Sequence, residues 1–456
     1  MGPHRRHLCV LVAIVLAAAC AGGSTKQSPT PEPLAAANPT STWLTYHRTA
    51  TRTGDGGSTL PILTGTLRKL WSAALDGAVY GEPILVGTTT VAVTENNTVY
   101  GLSTATGRTL WKRHLGTPVP LSAQPCGNID PLGITSTPTY DPTTGSLFVV
   151  TETTGAVHTL WALTATTGAV RWRRGLDVLS NRDRHAEQQR SALLVTAGRV
   201  LTTFGGHAGD CGNYVGYVTS VPTSGSGATT VYAVPTGREA GMWAAGGPAL
   251  GLYGIVYVAS GNGSSTSGAY DGSDSVIALN PTTMKRTAFF APSTWADDNV
   301  RDLDLGSMSP VPIAGKVLIA GKREIVYLLP RTLGGIGGQL ATASGCAGFG
   351  GAAVRGQVVY LPCTSGIRAI RVGSASLSWV WQAAGIAGSP VLAGNAVYAL
   401  APSTARFYEI SIASGHVARS LALGVPISRF ATPTIANGGR TVLVGTMKGV
   451  IAVTSG

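Results

Sequence analysis

The residues with chemical potential in this 456-residue chain are few. An acidic run holds Asp297, Asp298, Asp302 and Asp304; His207 stands three positions before Asp210; Asn262 lies between two glycines; and six cysteines are spread along the chain. Read by themselves, the run is a solvated acidic loop, and Asn262 is a turn residue, since Asn and Gly tolerate positive φ. His207 with Asp210 has a spacing a metal can use, yet a single His in a glycine-rich loop reads first as polar surface. The sequence contains no GxSxG elbow, HExxH or Walker motif, which argues against hydrolase and nucleotide chemistry. GGIGG at 334–338 lacks the strand, helix and downstream acid of a nucleotide fingerprint.

Composition says what must position these residues. Charged residues are 12% of the chain, about half the usual share, while glycine is 61 of 456. Such material, rich in Thr, Val, Gly and Ser, suits strands and tight turns. The net charge of +12 is scattered apart from short groups at Arg171, Arg173 and Arg174 and at Arg182 and Arg184. A nucleic-acid reader concentrates its charge in one stripe, so no nucleic-acid partner is expected.

A phrase recurs: a small residue with Pro or Ala, a strand, a turn, a VYV-type strand, a turn, and a strand ending in Leu-x-x-x-TG-x-x-x-W. Its openings fall at Pro83, Pro138, Ala192, Pro248, Pro310, Ala352, Pro390 and Pro433, eight units averaging 50 residues per step. Four short strands per unit, repeated radially, make an all-β, eight-bladed β-propeller of four-stranded antiparallel blades. The last unit stops after three strands. LTGTLRKLWSAALDG at 63–77 has the tryptophan ending without the rest of its unit, so the ring is expected to close by pairing it with the last blade. Trp71, Trp111, Trp172 and Trp381 are expected to wedge between neighbouring blades, each burying on the order of 200 Å².

Residues 1–19 read as a signal peptide: a basic start, then an apolar stretch at 8–19 too short to span a bilayer. Leu16 to Cys20 resemble the bacterial lipobox, with Ala17 where Leu is usual, so Cys20 is expected to be acylated. Residues 20–42, rich in Pro, Ser, Thr and Ala, read as a disordered tether to a single domain at 43–456. Export puts Cys126, Cys211, Cys346 and Cys363 in an oxidising compartment, where they form two disulfides. Three pairings are open; the favoured one joins Cys346 with Cys363 across one strand-turn unit and Cys126 with Cys211, each in a polar Gly-rich loop.

The Leu-x-x-x-TG-x-x-x-W spacing resembles the pyrroloquinoline quinone (PQQ) repeat of quinoprotein alcohol dehydrogenases and of non-enzymatic assembly lipoproteins, over residues 66–454. WLTYHRTATRTG at 43–54 resembles the lead-in of such chains, and the whole is most similar to secreted PQQ-binding-like lipoproteins of actinobacteria. Four segments carry the resemblance into a site. In HAGDCGNYVGYVTSVP, Asp210 stands at or near the place of a calcium-binding Glu. GGPALGLYGIVYVASGNGS puts Asn262 at a second ligand position. STWADDNVRDLDLGSMSP matches Trp295 with Asp297 or Asp298 as catalytic base, and AGKREIVYLLPRTLGG puts Lys322 at the basic contact to the quinone. Against the family pattern, Asp210 is one methylene shorter than Glu and GGPALG lacks the Trp of the aromatic floor. Vicinal cysteines and a CxxCH haem site are also missing.

The reading is a monomeric, lipid-anchored propeller on the outer face of the cytoplasmic membrane, acting as a binding or scaffold module for an envelope protein or polysaccharide. The alternative is a PQQ- and calcium-dependent alcohol or sugar dehydrogenase.

Overall fold

The structure is a computed structural model that describes residues 1–2 and 42–456; the signal peptide, Cys20 and the tether up to residue 41 lie outside the described residues. Eight antiparallel sheets follow one another around a ring. Blade 1 is built from Ile84–Val86, Thr89–Val93, Thr98–Ser103 and Thr109–His114, counted from the axis outward. The inner strands of the other seven blades begin within two residues of the remaining openings read from the sequence, at Thr139, Leu194, Ala249, Val311, Ala353, Val391 and Pro433. Blade 4 gains a short fifth strand, Gly335–Ile336, parallel to its outer strand Arg286–Ala291.

Strand position explains the residue pattern. Middle strands are covered on both faces by adjacent blades, so they run apolar without alternation, as in Ala396–Ala401, buried throughout. Outer strands meet water on alternate residues, as in Leu377–Ala384. The buried apolar side chains gather between blades rather than at one centre. Leu147, Val149 and Leu163 of blade 2 pack with Val91 and Val99 of blade 1, for example, and Leu400 and Phe407 of blade 7 pack with Val442 and Val444 of blade 8.

Blade 8 is completed from the other end of the chain. Leu67–Ala74 pairs with Gly449–Ser455 from Leu67 opposite Ser455 to Ala74 opposite Gly449. The four repeat tryptophans then hook four of the blades onto the next, at the joins 8–1, 1–2, 2–3 and 6–7. Each indole lies over the turn glycine of the following blade: Trp71 on Gly107, Trp111 on Gly168, Trp172 on Gly225 and Trp381 on Gly415. At Gly107 the backbone has φ +71°, and an added Cβ would come within 2.5 Å of the Trp71 ring, so the position needs glycine for two reasons. The indoles of Trp71 and Trp381 also donate to the carbonyls of Thr104 and Ile412, at 3.0 and 2.9 Å. The four rings are half-buried, so they dock at the rim rather than wedge fully between sheets.

Residues 43–57 cross the axis of the ring as a plug. Trp43 exchanges backbone hydrogen bonds with Leu85 of blade 1, while the carbonyls of Leu44, Ala50, Thr53 and Gly54 accept from Tyr140, Leu250, Val354 and Leu392 of blades 2, 4, 6 and 7. Arg52 donates to the Leu193 carbonyl of blade 3, and His47 meets Thr432 of blade 8. Glu82 anchors the crossing: its carboxylate accepts from the Trp43 indole at 2.7 Å and the His47 backbone N–H at 2.8 Å. Burial pushes Glu82 up to about 8, against its hydrogen bonds and the charge of Arg52. The folded state therefore holds this proton more tightly than the unfolded chain, and that stabilisation is lost as pH rises from about 4.5 through 8. Urea unfolding of wild type and Glu82→Gln at pH 5 and pH 8 is expected to show wild type losing stability relative to the variant at the higher pH; parallel curves would refute the assignment.

Candidate functional site

On the other side of the plug, a cavity of about 790 Å³ opens at the axis, over the ends of the second strands and the approaches to the inner strands. Its floor is Trp243, from the connection between blades 3 and 4. Phe349 and Phe430 flank the indole, each with its ring centre 6.2 Å away. Glycine admits this packing: a Cβ on Gly261 would lie 3.3 Å from both the Trp243 indole nitrogen and the Asp304 carboxyl carbon.

Positive groups ring the aromatics. The Lys322 ammonium sits 5.5 Å from the centre of the Trp243 ring, Arg190 lies over Phe430 at 5.2 Å, and Arg429 over Phe349 at 4.1 Å. Lys322 follows the second strand of blade 5, Lys316–Ala320, and its ammonium reaches Asp304 at 2.9 Å and also binds Asp302. Asp302 in turn accepts from the Asn262 side-chain amide at 2.7 Å. Burial pushes the Asp304 carboxyl up to about 6, opposed by Lys322. Burial works to lower Lys322, but Asp304 and Asp302 outweigh it and leave the ammonium raised. Beneath them Asp274, fully buried, is held well above the carboxylate range by burial and then by Asp304, and accepts from the Leu305 N–H at 2.8 Å.

The sequence-predicted residues divide. Asp210, Asn262 and Lys322 line the cavity. Asp297 and Asp298 lie in the first turn of the helix Trp295–Arg301, where both bind Arg323, and neither lines the cavity. The acidic run is not a solvated loop throughout: Asp298 and Asp304 are buried, and Asp302 and Asp304 are the members that face the cavity. The short helix explains the split, because its left-handed C-terminal cap at Asp302, φ 55°, redirects the chain toward the axis. Asp210 accepts from the Tyr214 hydroxyl at 2.5 Å. Among the described residues, the cavity's acids do not converge into a common three-ligand cluster. Trp243 was missed; it lies three residues before the GGPALG segment in which the family's tryptophan was sought.

Both disulfides form in the favoured pairing, Cys126 with Cys211 and Cys346 with Cys363, with Cα atoms 6.1 and 5.0 Å apart. The first fastens the connection between blades 1 and 2 to a blade 3 loop at the cavity rim, beside Asn128 and Gly209.

A family model described as outer membrane protein assembly factor BamB, of the PQQ repeat type, matches residues 51–129. The ring also superposes on solved structures. The fold is that of a PQQ-like β-propeller. Quinohemoprotein alcohol dehydrogenase ADHIIG from Pseudomonas putida HK5 is similar with a TM-score of 0.69 at 15% identity, over 91% of this chain and 80% of that one. The quinohemoprotein alcohol dehydrogenase of Comamonas testosteroni gives 0.69 at 17%, over 91% and 81%. BamB from Moraxella catarrhalis gives 0.57 at 15%, over 86% and 98%. No curated protein matches the sequence. This PQQ-like propeller thus shares its fold with enzymes and with an assembly factor, and the site must decide between them.

The ion pair under the cavity is open to direct test. Lys322→Met leaves Asp304 buried without its counter-ion and is expected to cost about 3 kcal/mol in urea unfolding. Most of that loss should return in the Lys322→Met, Asp304→Asn double variant; strictly additive losses would show that the two groups do not depend on each other.

Proposed function

We propose that the protein is an envelope-held binding propeller whose axial cavity takes a flat, anionic aromatic ligand, PQQ together with calcium being the pair its residues suit. The observation that carries this reading is Trp243 lying as a floor with Lys322 over its face. Trp243 would support the ring by stacking, with Lys322, Arg190 and Arg429 matching acidic substituents. Asn262 Oδ1 and Asp304 Oδ1 are buried acceptors with no hydrogen-bond partner. Asn262 Oδ1, with Asp210 and Asp302 on the same cavity wall, offers oxygen donors of the kind a hard cation prefers, although Lys322 already engages Asp302. Lipidated Cys20 would hold the propeller on the outer face of the cytoplasmic membrane, where its rim loops meet an envelope protein or polysaccharide.

The second reading, an alcohol or sugar dehydrogenase, is favoured by Asp304. Bound PQQ would supply a two-electron acceptor and calcium a Lewis acid. The Asp304 carboxylate, poised near 6 and facing the cavity, would take the hydroxyl proton of the substrate, and Lys322 would steady the carboxylate. The aromatic walls would keep water from the reacting carbon.

Titrating the processed protein with PQQ in the presence of calcium is expected to quench tryptophan fluorescence at micromolar ligand, with the change lost in Trp243→Ala. No binding at that level would sink the cofactor reading. Dye-linked oxidation of primary alcohols or aldoses by the loaded protein, abolished by Asp304→Asn, would establish the second reading; binding without turnover would leave the first. For the anchor, wild type is expected in the detergent phase of a cloud-point partition and Cys20→Ser in the aqueous phase; identical partitioning would rule the anchor out.

A further inference from the structure

A second group of ligating side chains lies away from the cavity, where blade 2 meets blade 3. His158 opens the third strand of blade 2, Asp177 follows its outer strand, and Glu187 opens blade 3. One donor atom from each lies within 4.8 Å of the other two. His158 and Glu187 are buried and Asp177 is nearly so. Their placement is fixed from several sides. Asp177 Oδ2 accepts from the His158 backbone N–H at 3.0 Å, Glu187 accepts from the Tyr217 hydroxyl at 3.0 Å, and Phe204 packs edge-on against the imidazole.

Charge makes this cluster unusual. Glu152, itself buried, reaches the far imidazole nitrogen, His158 Nε2, at 3.3 Å. Three carboxylates therefore surround one imidazole, and among the described residues no Lys or Arg ion pair reaches any of them. A protonated imidazole can match only one of the three carboxylates, and burying acid in excess of base is costly. Glu152 Oε1 is in addition buried without a hydrogen-bond partner.

We propose that His158 Nδ1, Asp177 and Glu187 bind a divalent first-row transition ion, zinc first, that clamps blade 2 to blade 3. One imidazole and two carboxylates suit such an ion, with water completing the shell. Ligands about 2.1 Å from a tetrahedral zinc stand about 3.4 Å apart, so a pair at the outer 4.8 Å separation has to close by about 1 Å. His158 Nδ1 stands 2.7 Å from Asp177 Oδ1, so the metal would take the place of the proton these two atoms share; Glu152, 3.3 Å from Nε2, is the positioning residue that favours the Nε2–H tautomer.

The processed protein, stripped with chelator and titrated with Co2+ or Zn2+, tests this. One Co2+ per chain is expected, with visible d–d absorbance that Zn2+ displaces. His158→Gln should abolish that absorbance, and Glu152→Gln should weaken binding by about 10- to 100-fold while keeping the spectrum. Should His158→Gln fail to fold, Glu187→Gln, which can still accept from Tyr217, carries the decision and should lose the spectrum. A wild type that binds no ion, or binding unchanged in His158→Gln or Glu187→Gln, would overturn the proposal and leave an imidazolium held between carboxylates.

Discussion

The pairing of Leu67–Ala74 with Gly449–Ser455 is the constraint on which the rest depends. An open stack of eight sheets would present bare edges at its first and last blades, each a template for unwanted pairing. By drawing the last sheet's outer strand from the start of the domain, the chain joins its ends through seven residue pairs. The same strand carries Trp71, whose ring lies on Gly107 of blade 1. One segment thus completes blade 8 and hooks it to its neighbour, and Val450 of blade 8 packs with Ala92 and Leu102 of blade 1 across the join.

With the ring closed, the axis becomes a channel that something must fill. Residues 43–57 do so, with polar side chains as well as apolar ones. Trp43, Tyr46, His47 and Arg52 are buried beside Glu82; the Trp43 indole donates to that carboxylate, His47 meets Thr432 at blade 8, and Arg52 donates to the Leu193 and Pro248 carbonyls at blades 3 and 4. A plug of this kind ties blades together that share no sheet edge. The cavity over Trp243 is a funnel braced at its rim by the Cys126–Cys211 bond.

The funnel concentrates what an otherwise sparsely charged chain has to offer. Asp302 and Asp304 come from the connection between blades 4 and 5 and Lys322 from a turn within blade 5; the ammonium bridges the exposed Asp302 and the buried Asp304 beside the aromatic floor. The cluster around His158 is built the opposite way, with acid in excess of base. The fold thus gives one site that faces solvent, its acids bridged by a lysine, and one closed from it whose acids have, among the described residues, no Lys or Arg ion pair.

What the sequence determined by itself was periodic or local. The eight openings, the turn glycines and the tryptophans repeat at a spacing that follows from four strands per blade, so blade number and ring closure were legible. The two disulfides were legible from the loops that hold their cysteines. Tertiary structure alone decided which residues meet at the axis. Asp302 and Asp304 were chosen over Asp297 and Asp298 by the turn of one short helix, and Trp243 reached the floor from a connection that carries no repeat signal. His158, Glu152, Asp177 and Glu187 are unremarkable in sequence and meet because blade 2 packs on blade 3. The physical reason is that strand period and turn chemistry act between neighbours along the chain, whereas a site at a propeller axis is assembled from side chains separated by whole blades.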